Sequence, residues 1–446
     1  MASASHRRSR LKRRMLVGTA AAAAAGLGTG VFVMNANAGP VDLYHQVLPA
    51  KDGWAASGSG TTGGTKADSA HTFTVSTRAQ LVKALGSVSD TTPRIIKVKG
   101  TIEANTDDSG KKLTCADYAS GTGYSLSAYL KAFDPATYGK KAPSGTQEKA
   151  REAAANKQKK NIVFRVPSNT TIVGVPGSKA GITGGSLQVQ DVKNVIVRNL
   201  TFAATEDCFP QWDPTDGSSG EWNSNYDSVT LRGVTNVWAD HNTFTDAPFF
   251  DSAEKTYFGR KYQIHDGALD ITNGSDLVTV ERNQFTNHDK TMLIGSSDTD
   301  STGKLRVTIH HNVWKGIVQR APLARIGQIH LYNNVYDTAT VNGYAPKYSL
   351  DSRAKAQVVA EHNAFKLPSG AKVAKLLSGD GTGSVAGKGN LVNGTETDLV
   401  AAYNAANSKK IKTTVNWTPT LTAGLQTSVK NLVTELSSTT GAGVLG

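Results

Sequence analysis

From Ile162 onward the chain repeats one phrase: a short apolar run, a polar turn, and an Asn followed two residues later by an aromatic. The apolar runs are Ile172-Val173, Val195-Ile-Val197, Val237-Trp-Ala239, Val278-Thr-Val280, Val307-Thr-Ile309, Ile329-His-Leu331 and Val358-Val-Ala360. Five Asn/aromatic pairs follow them: Asn242/Phe244, Asn283/Phe285, Asn312/Trp314, Asn334/Tyr336 and Asn363/Phe365. Successive Asn residues lie 41, 29, 22 and 29 positions apart. A unit that returns this soon, with variable insertions, is the signature of a solenoid. Each unit is too short to hold a crossover helix, and Gly, Asn and Asp punctuate it. The expected fold is therefore all-β, a right-handed parallel β-helix, rather than a barrel of βαβ units. Unequal spacing argues against a propeller, which with a sandwich is the alternative. Asn at one turn of each coil should form an amide ladder that satisfies buried backbone groups, with the aromatics stacking inward.

The first part of the chain is less regular. Residues 39–75 are rich in Gly, Ser and Thr and read as irregular structure with an edge strand at Phe73–Val75. Helical spacing appears over Arg78–Leu85 and a strand over Arg94–Val98. Residues 124–160 interrupt the pattern, and the Ala/Lys/Glu-rich run from Glu148 to Lys160 predicts an exposed helix in an insertion. The two longest gaps between repeats, 203–236 and 245–276, should project together on one side as long loops, where a functional site belongs.

The N-terminus changes the picture of where the protein works. Six basic residues, Arg7, Arg8, Arg10, Lys12, Arg13 and Arg14, precede an Ala/Gly-rich apolar run from Met15 to Met34, and Ala36-Asn37-Ala38 offers small residues before Gly39. Residues 1–38 thus read as a signal peptide and 39–446 as a single secreted domain. A membrane anchor is the alternative, and Arg7-Arg8-Ser-Arg-Leu-Lys12 also resembles a twin-arginine export signal. The leader carries no acid, so its removal lowers the net charge from +13 to +7. A basic secreted protein suits an acidic partner, without choosing among nucleic acid, anionic lipid and acidic polysaccharide. Cys115 and Cys208 are the only cysteines; in an exported chain they are expected to pair, with two buried thiols as the alternative. No Cys/His spacing suggests zinc.

Candidate chemistry lies between Asp227 and Arg325. His265-Asp266-Gly-Ala-Leu-Asp270 puts two carboxylates four apart just before a strand, and Asp227 precedes the strand-like run of the previous coil. Such hard oxygen ligands at loop and strand ends suit Ca2+, although Asp near turns often only caps them. Lys290 follows a turn, and Arg320 and Arg325 flank Pro322, whose rigidity would help both guanidinium groups grip carboxylates. The bland alternative is a solvated lysine and two turn-capping arginines.

Taken together, these phrases resemble the pectate lyases of polysaccharide lyase family one. The matching residues are Trp212-Asp-Pro-Thr-Asp-Gly217, Glu221-Trp-Asn-Ser-Asn-Tyr-Asp227, Val237-Trp-Ala-Asp-His-Asn242, His265-Asp-Gly-Ala-Leu-Asp270, His288-Asp-Lys290, His310-His-Asn312 and Arg320-x-Pro-x-x-Arg325. They run in order over roughly residues 160–370, and the family's fold is a right-handed parallel β-helix. The resemblance implies a Ca2+-dependent secreted lyase that cleaves polygalacturonate by β-elimination. It assigns Asp227, Asp266 and Asp270 to calcium, Arg320 to the catalytic base, and Lys290 and Arg325 to substrate carboxylates. Asp213 and Asp216 are candidates for further calcium ligands or for turn duty. An arginine base is unusual, because the guanidinium normally stays protonated; crowding by Lys290, Arg325 and calcium would lower its pKa and give an alkaline optimum. Ala239 stands where the family has a larger aliphatic residue, and Leu323 where many relatives have another arginine, which would weaken one subsite. A monomer is expected, with no nucleic-acid partner and no membrane partner after processing. Retention of the three Asp residues argues against a pectin lyase acting on methyl-esterified polymer. A polygalacturonase would need paired catalytic acids, whose family phrases are missing, and a β-helical adhesin would leave Lys290, Arg320 and Arg325 in register unexplained.

Overall fold

The computed structural model describes residues 42–300 and 305–445. The expected leader lies outside these residues.

Coil after coil, the apolar runs stack in one direction and form three parallel β-sheets. Sheet A contains Val163–Arg165, Ser186–Gln190, Val229–Arg232, Leu269–Thr272 and Leu293–Ile294. Sheet B collects the repeats read from the sequence, with Val195, Val237, Val278, Val307, Ile329 and Val358 directly opposite one another on successive strands. Sheet C holds Thr201–Ala203, Thr243–Thr245, Gln284–Lys290, Val313–Gln319, Val335–Asp337 and Ala364–Lys366. Sheets A and B merge where Leu323–Tyr332 and Leu350–Glu361 run through the corner between them. This is the right-handed parallel β-helix that the periodicity predicts. The edge strand, observed as Thr72–Val75, the helix Arg78–Leu85 and the strand Arg94–Val98 all form.

Asn residues make one corner of the helix. Asn242, Asn283, Asn312, Asn334 and Asn363 are buried, and the Oδ1 of each of the last four accepts from the backbone N–H and Nδ2 of the Asn one coil earlier, at 2.8–3.0 Å. The ladder has a sixth rung at Asn390, which accepts from Asn363 N at 3.1 Å. The repeat reading missed it because the residue two positions on is Val392, an aliphatic. Beside the ladder the rings of Phe202, Phe244, Phe285, Trp314, Tyr336 and Phe365 form a continuous stack, with centroids 4.2–5.9 Å apart. Asn312→Ala would strip the acceptor from Asn283 and the donor from Val280 O and His310 O, all buried. Unpartnered buried groups cost about 1–3 kcal/mol each, so this variant should lose at least ~3 kcal/mol in denaturant unfolding.

The insertion corrects one expectation. The helix forms, as Thr146–Ile162, but it is not exposed: Glu148, Ala150, Arg151, Ala154, Ala155 and Gln158 are buried. Glu148 and Arg151 look like an ordinary solvated i,i+3 pair in sequence. Instead Arg151 Nη2 meets Glu148 Oε1 at 2.7 Å, Arg151 Nη1 donates to Phe209 O, and Tyr129 and Gln211 donate to Glu148. Tertiary partners from a distant loop make burial tolerable for the pair. Glu148→Ala leaves Arg151 buried without a counter-ion, and a loss of about 3 kcal/mol in unfolding free energy is expected. A disulfide joins Cys115, at the start of the short helix Cys115–Ala119 that precedes the insertion, to Cys208. Ala239 is core, 2% exposed, between Val197 and Val280 on adjacent strands.

Candidate active site

Long loops between sheets A and C rise on one side and wall a groove of about 580 Å³. One wall is the hairpin Gln211–Asp213/Glu221–Asn223, backed by an aromatic cluster of Tyr129, Phe133, Trp212, Trp222 and Tyr262. The two tryptophans sit opposite each other on this hairpin, 5.3 Å apart. Asp213 caps its turn, accepting from the N–H and hydroxyl of Thr215. Turn duty is thus its observed role, while Asp216 borders the groove.

The floor is made of consecutive coils. Ser228 N donates to Gly267 O, Gly267 bridges Lys290, and Lys290 pairs with Gln319, the residue before Arg320. Four sequence-distant phrases therefore become neighbours because the coils stack in register. Thr230 and Asp270 are opposite each other in sheet A, and the Thr230 hydroxyl donates to Asp227 Oδ2 at 2.8 Å.

Gly267 is the pivot of the acidic cleft. Its N–H donates to Asp227 Oδ1 at 2.9 Å, and a Cβ on this glycine would lie 2.5 Å from Asp270 Oδ1 and 2.7 Å from Asp227 Oδ1. Two carboxylate oxygens from adjacent coils thus converge above a residue with no side chain. Leu293 N holds Asp270 Oδ1 at 2.9 Å. Burial pushes the Asp227 carboxyl up to about 7, and the Asp266 charge adds to it. Burial and then the charges of Asp227 and Asp266 push Asp270 well above the usual carboxylate range, opposed by Arg320. Acids held this unfavourably in their ionised form are what a hard divalent cation relieves, and the all-oxygen donor set fits Ca2+.

Asp266 stands at the rim, its side chain 31% exposed, 3.5 Å from Lys290 Nζ. Its main-chain oxygen lies 2.9 Å from His288 Nε2, and His288 Nδ1 pairs with the buried Asp246. Burial alone would lower His288, but the Asp246 charge outweighs it and holds the imidazole up to about 9, so it donates on both sides. His265 and Tyr344 also converge on Asp246. The sequence analysis missed this support: His265 and His288 lie inside its motifs, but Asp246 and Tyr344 come from loops with no pattern.

The cations separate. Lys290 and Arg320 line the groove together with Arg260, Lys261 and Lys347. Arg320 has a left-handed backbone (φ 60°), and its Nε is buried with no hydrogen-bond partner. Gln319 beside it is held by Asp289, which also takes Gln263. Arg325 reaches the loop after Leu293–Ile294: its Nε is 3.0 Å from Asp298 Oδ1 and its Nη1 faces the carbonyls of Gly295 and Ser296. Leu323 is buried, in line with Leu293 and Asp351.

Known proteins share this arrangement of chain. The pectate lyase family pattern matches residues 136–444. The chain is 46% identical over 415 residues to a pectate lyase of Bacillus subtilis (strain 168), covering 92% of this chain and 96% of that protein. It is 33% identical over 400 residues to pectate lyase E of Dickeya chrysanthemi, covering 86% of each. Among solved structures, a pectate lyase bound to hexasaccharide superimposes with a TM-score of 0.86 at 43% identity, over 91% of this chain and 100% of that one. The thermostable pectate lyase PL 47 gives a TM-score of 0.88 at 41% identity, with the same coverage. Fold, groove and these likenesses agree, and the chain belongs to the pectate lyase family, a family of polysaccharide lyases.

Proposed function

We propose that this protein is a secreted, calcium-dependent pectate lyase that cleaves α-1,4-linked polygalacturonate by β-elimination and releases 4,5-unsaturated oligogalacturonides. The observation that carries the reading is the convergence of Asp227 and Asp270 above Gly267 with Lys290 and Arg320 on the next two coils. In this reading Asp227, Asp266 and Asp270 hold Ca2+, which when bound supplies positive charge to the substrate carboxylate. Lys290 orients that carboxylate and offsets the negative charge that develops when the neighbouring C5–H bond breaks. Arg320, as the neutral guanidine, takes the C5 proton. The electron pair left behind forms the C4–C5 double bond, the C4–O4 bond breaks, and O4 leaves with a proton from solvent. Arg325, bound to the Gly295–Asp298 loop, would exchange Asp298 for a second substrate carboxylate.

A substrate with one carboxylate per sugar explains why the groove carries cations along its length. One of the matching structures is a pectate lyase bound to hexasaccharide, which supports a polymer of this kind in the groove. Among the described residues no helix is long and apolar enough to cross a membrane. Together with the leader and the disulfide, this supports export of residues 39–446; in this reading they act as one domain and as a monomer. The test is incubation with polygalacturonate, with and without chelator, following the ultraviolet absorbance of the unsaturated product. Reducing ends without absorbance would mean hydrolysis, activity on esterified pectin without calcium would mean a pectin lyase, and binding without either an adhesin.

A further inference from the structure

A second cluster with metal-ligating chemistry lies on sheet B, away from the acidic cleft of sheet A. Asp52, Glu281 and His310 each bring one ligand atom to within 4.8 Å of the others. Asp52 belongs to the leading segment, which crosses the coils beside the C-terminal segment. Asp52 bridges Thr422, Gly53 N donates to Leu421 O, and Ala423 N donates to Lys51 O. Glu281 and His310 are partners on neighbouring strands.

The donor atoms face one another at close range. His310 Nε2 is 3.1 Å from Glu281 Oε2 and 3.4 Å from Asp52 Oδ1. Yet His310 Nε2 has no hydrogen-bond partner, and the Tyr332 hydroxyl lies beside Asp52. His310 is 2% exposed and its ring stacks on Tyr332 at 4.6 Å. Gly424 closes the space: a Cβ there would lie 3.2 Å from Asp52 Oδ1 and 3.4 Å from the Tyr332 oxygen.

The donors are also oriented. Trp238 Nε1 holds Glu281 Oε1 at 2.8 Å, which leaves Oε2 for the cluster. His310 Nδ1 lies 2.9 Å from His311 Nδ1. With the proton of that pair on His310 Nδ1, the Nε2 lone pair faces two carboxylates, an arrangement a cation favours. Burial pushes Asp52 up to about 6 and Glu281 well above its usual range, and burial with the charges of Arg282 and His330 pushes His310 well below its own. Burial thus disfavours the charged form of all three groups. Arg282 opposes a cation, but two carboxylates outweigh it, and the nearby Asp240 is taken by Arg198 and His241.

We propose that Asp52, Glu281 and His310 bind a divalent transition-metal ion of the zinc type, which staples the leading segment to two successive coils. One imidazole and two carboxylates, with the Tyr332 hydroxyl or a water completing four positions, suit Zn2+ better than the all-oxygen cleft does. The ion has no part in the elimination; it ties residues 42–75 to the helix.

The mature chain is stripped with chelator, returned to calcium buffer and titrated with Co2+. One equivalent should develop the visible absorption of a four-coordinate site, and Zn2+ should displace it. Zn2+ at a hundredfold excess over its Kd should raise the melting temperature by roughly 3 °C. Asp52→Asn and His310→Gln should each weaken the Co2+ site at least ~10-fold, while Asp227→Asn keeps it. Asp52→Asn, on the outer segment, should keep wild-type lyase activity at 25 °C in saturating calcium, which reports an intact fold. No visible band in the wild type, a band kept in both cluster variants, or a band lost in Asp227→Asn would each overturn the proposal.

Discussion

Arg320→Lys is expected to lower kcat on polygalacturonate by about 10²–10⁴-fold, the range of a lost general base, while KM shifts less than about threefold. The charge is conserved, so attraction of the polymer persists. What is lost is placement. Arg320 takes its position from a left-handed backbone, from Ala321 N donating to Ser349 O, and from Met292 N donating to its own carbonyl at 2.7 Å. These contacts aim a planar, forked group into the groove, and lysine offers one nitrogen on a flexible stem instead. Turnover by ultraviolet absorbance, paired with calorimetric binding of a galacturonate oligomer, separates the two effects. Near-normal kcat in Arg320→Lys would remove this residue from the role of base. Because a guanidine acts as a base only when deprotonated, wild-type kcat should rise with pH across the alkaline range.

Asp270→Asn is expected to abolish calcium-dependent turnover, with kcat/KM at least ~10³-fold down at micromolar Ca2+. Asp270 is the deepest of the three acids, and its Oδ1 converges with that of Asp227 above Gly267. The same acids make a linked prediction for stability. Without metal, burial pushes Asp227 up to about 7 and Asp270 well above the usual carboxylate range, both above an unfolded carboxyl near 4. Between those values the folded state binds more protons than the unfolded one, so the metal-free protein should lose stability as pH rises from about 4 through 7 and beyond. Calcium must displace these protons, so its affinity should strengthen over the same window. Melting curves at pH 5 and pH 8, with and without Ca2+, check this: the calcium-induced shift should be larger at pH 8. An equal shift at both values would mean that these carboxyls are already ionised without the metal.

The coils were legible because a solenoid repeats its burial. Val237, Val278 and Val307 recur at one face of one sheet, and Asn242 through Asn363 recur at one corner, so periodicity along the chain becomes neighbourhood in space. Where the side chain at the corner changes, as at Asn390 before Val392, the pattern fades although the hydrogen bond persists. The insertion was the opposite case. A buried Glu148–Arg151 pair and a solvated one have the same spacing, and only the loop carrying Phe209 and Gln211 tells them apart.

For the site, residue types and order pointed to Asp227, Asp266, Asp270, Lys290 and Arg320, because metal and polyanion chemistry restricts which side chains can serve. Their support was not visible. Asp246 and Tyr344, which hold His288 behind Asp266, are 98 residues apart. Nor did sequence show that Arg325 rests on the Gly295–Asp298 loop. The sequence by itself determined the coil, its polar corner and the kinds of charge on one wall, since these depend on side-chain type and period. Tertiary structure alone decided which acids converge above Gly267, that Arg325 meets Asp298, and that Asp52 meets Glu281 and His310. Those outcomes depend on the register of stacked coils and on where loops and terminal segments land, and no local pattern encodes them.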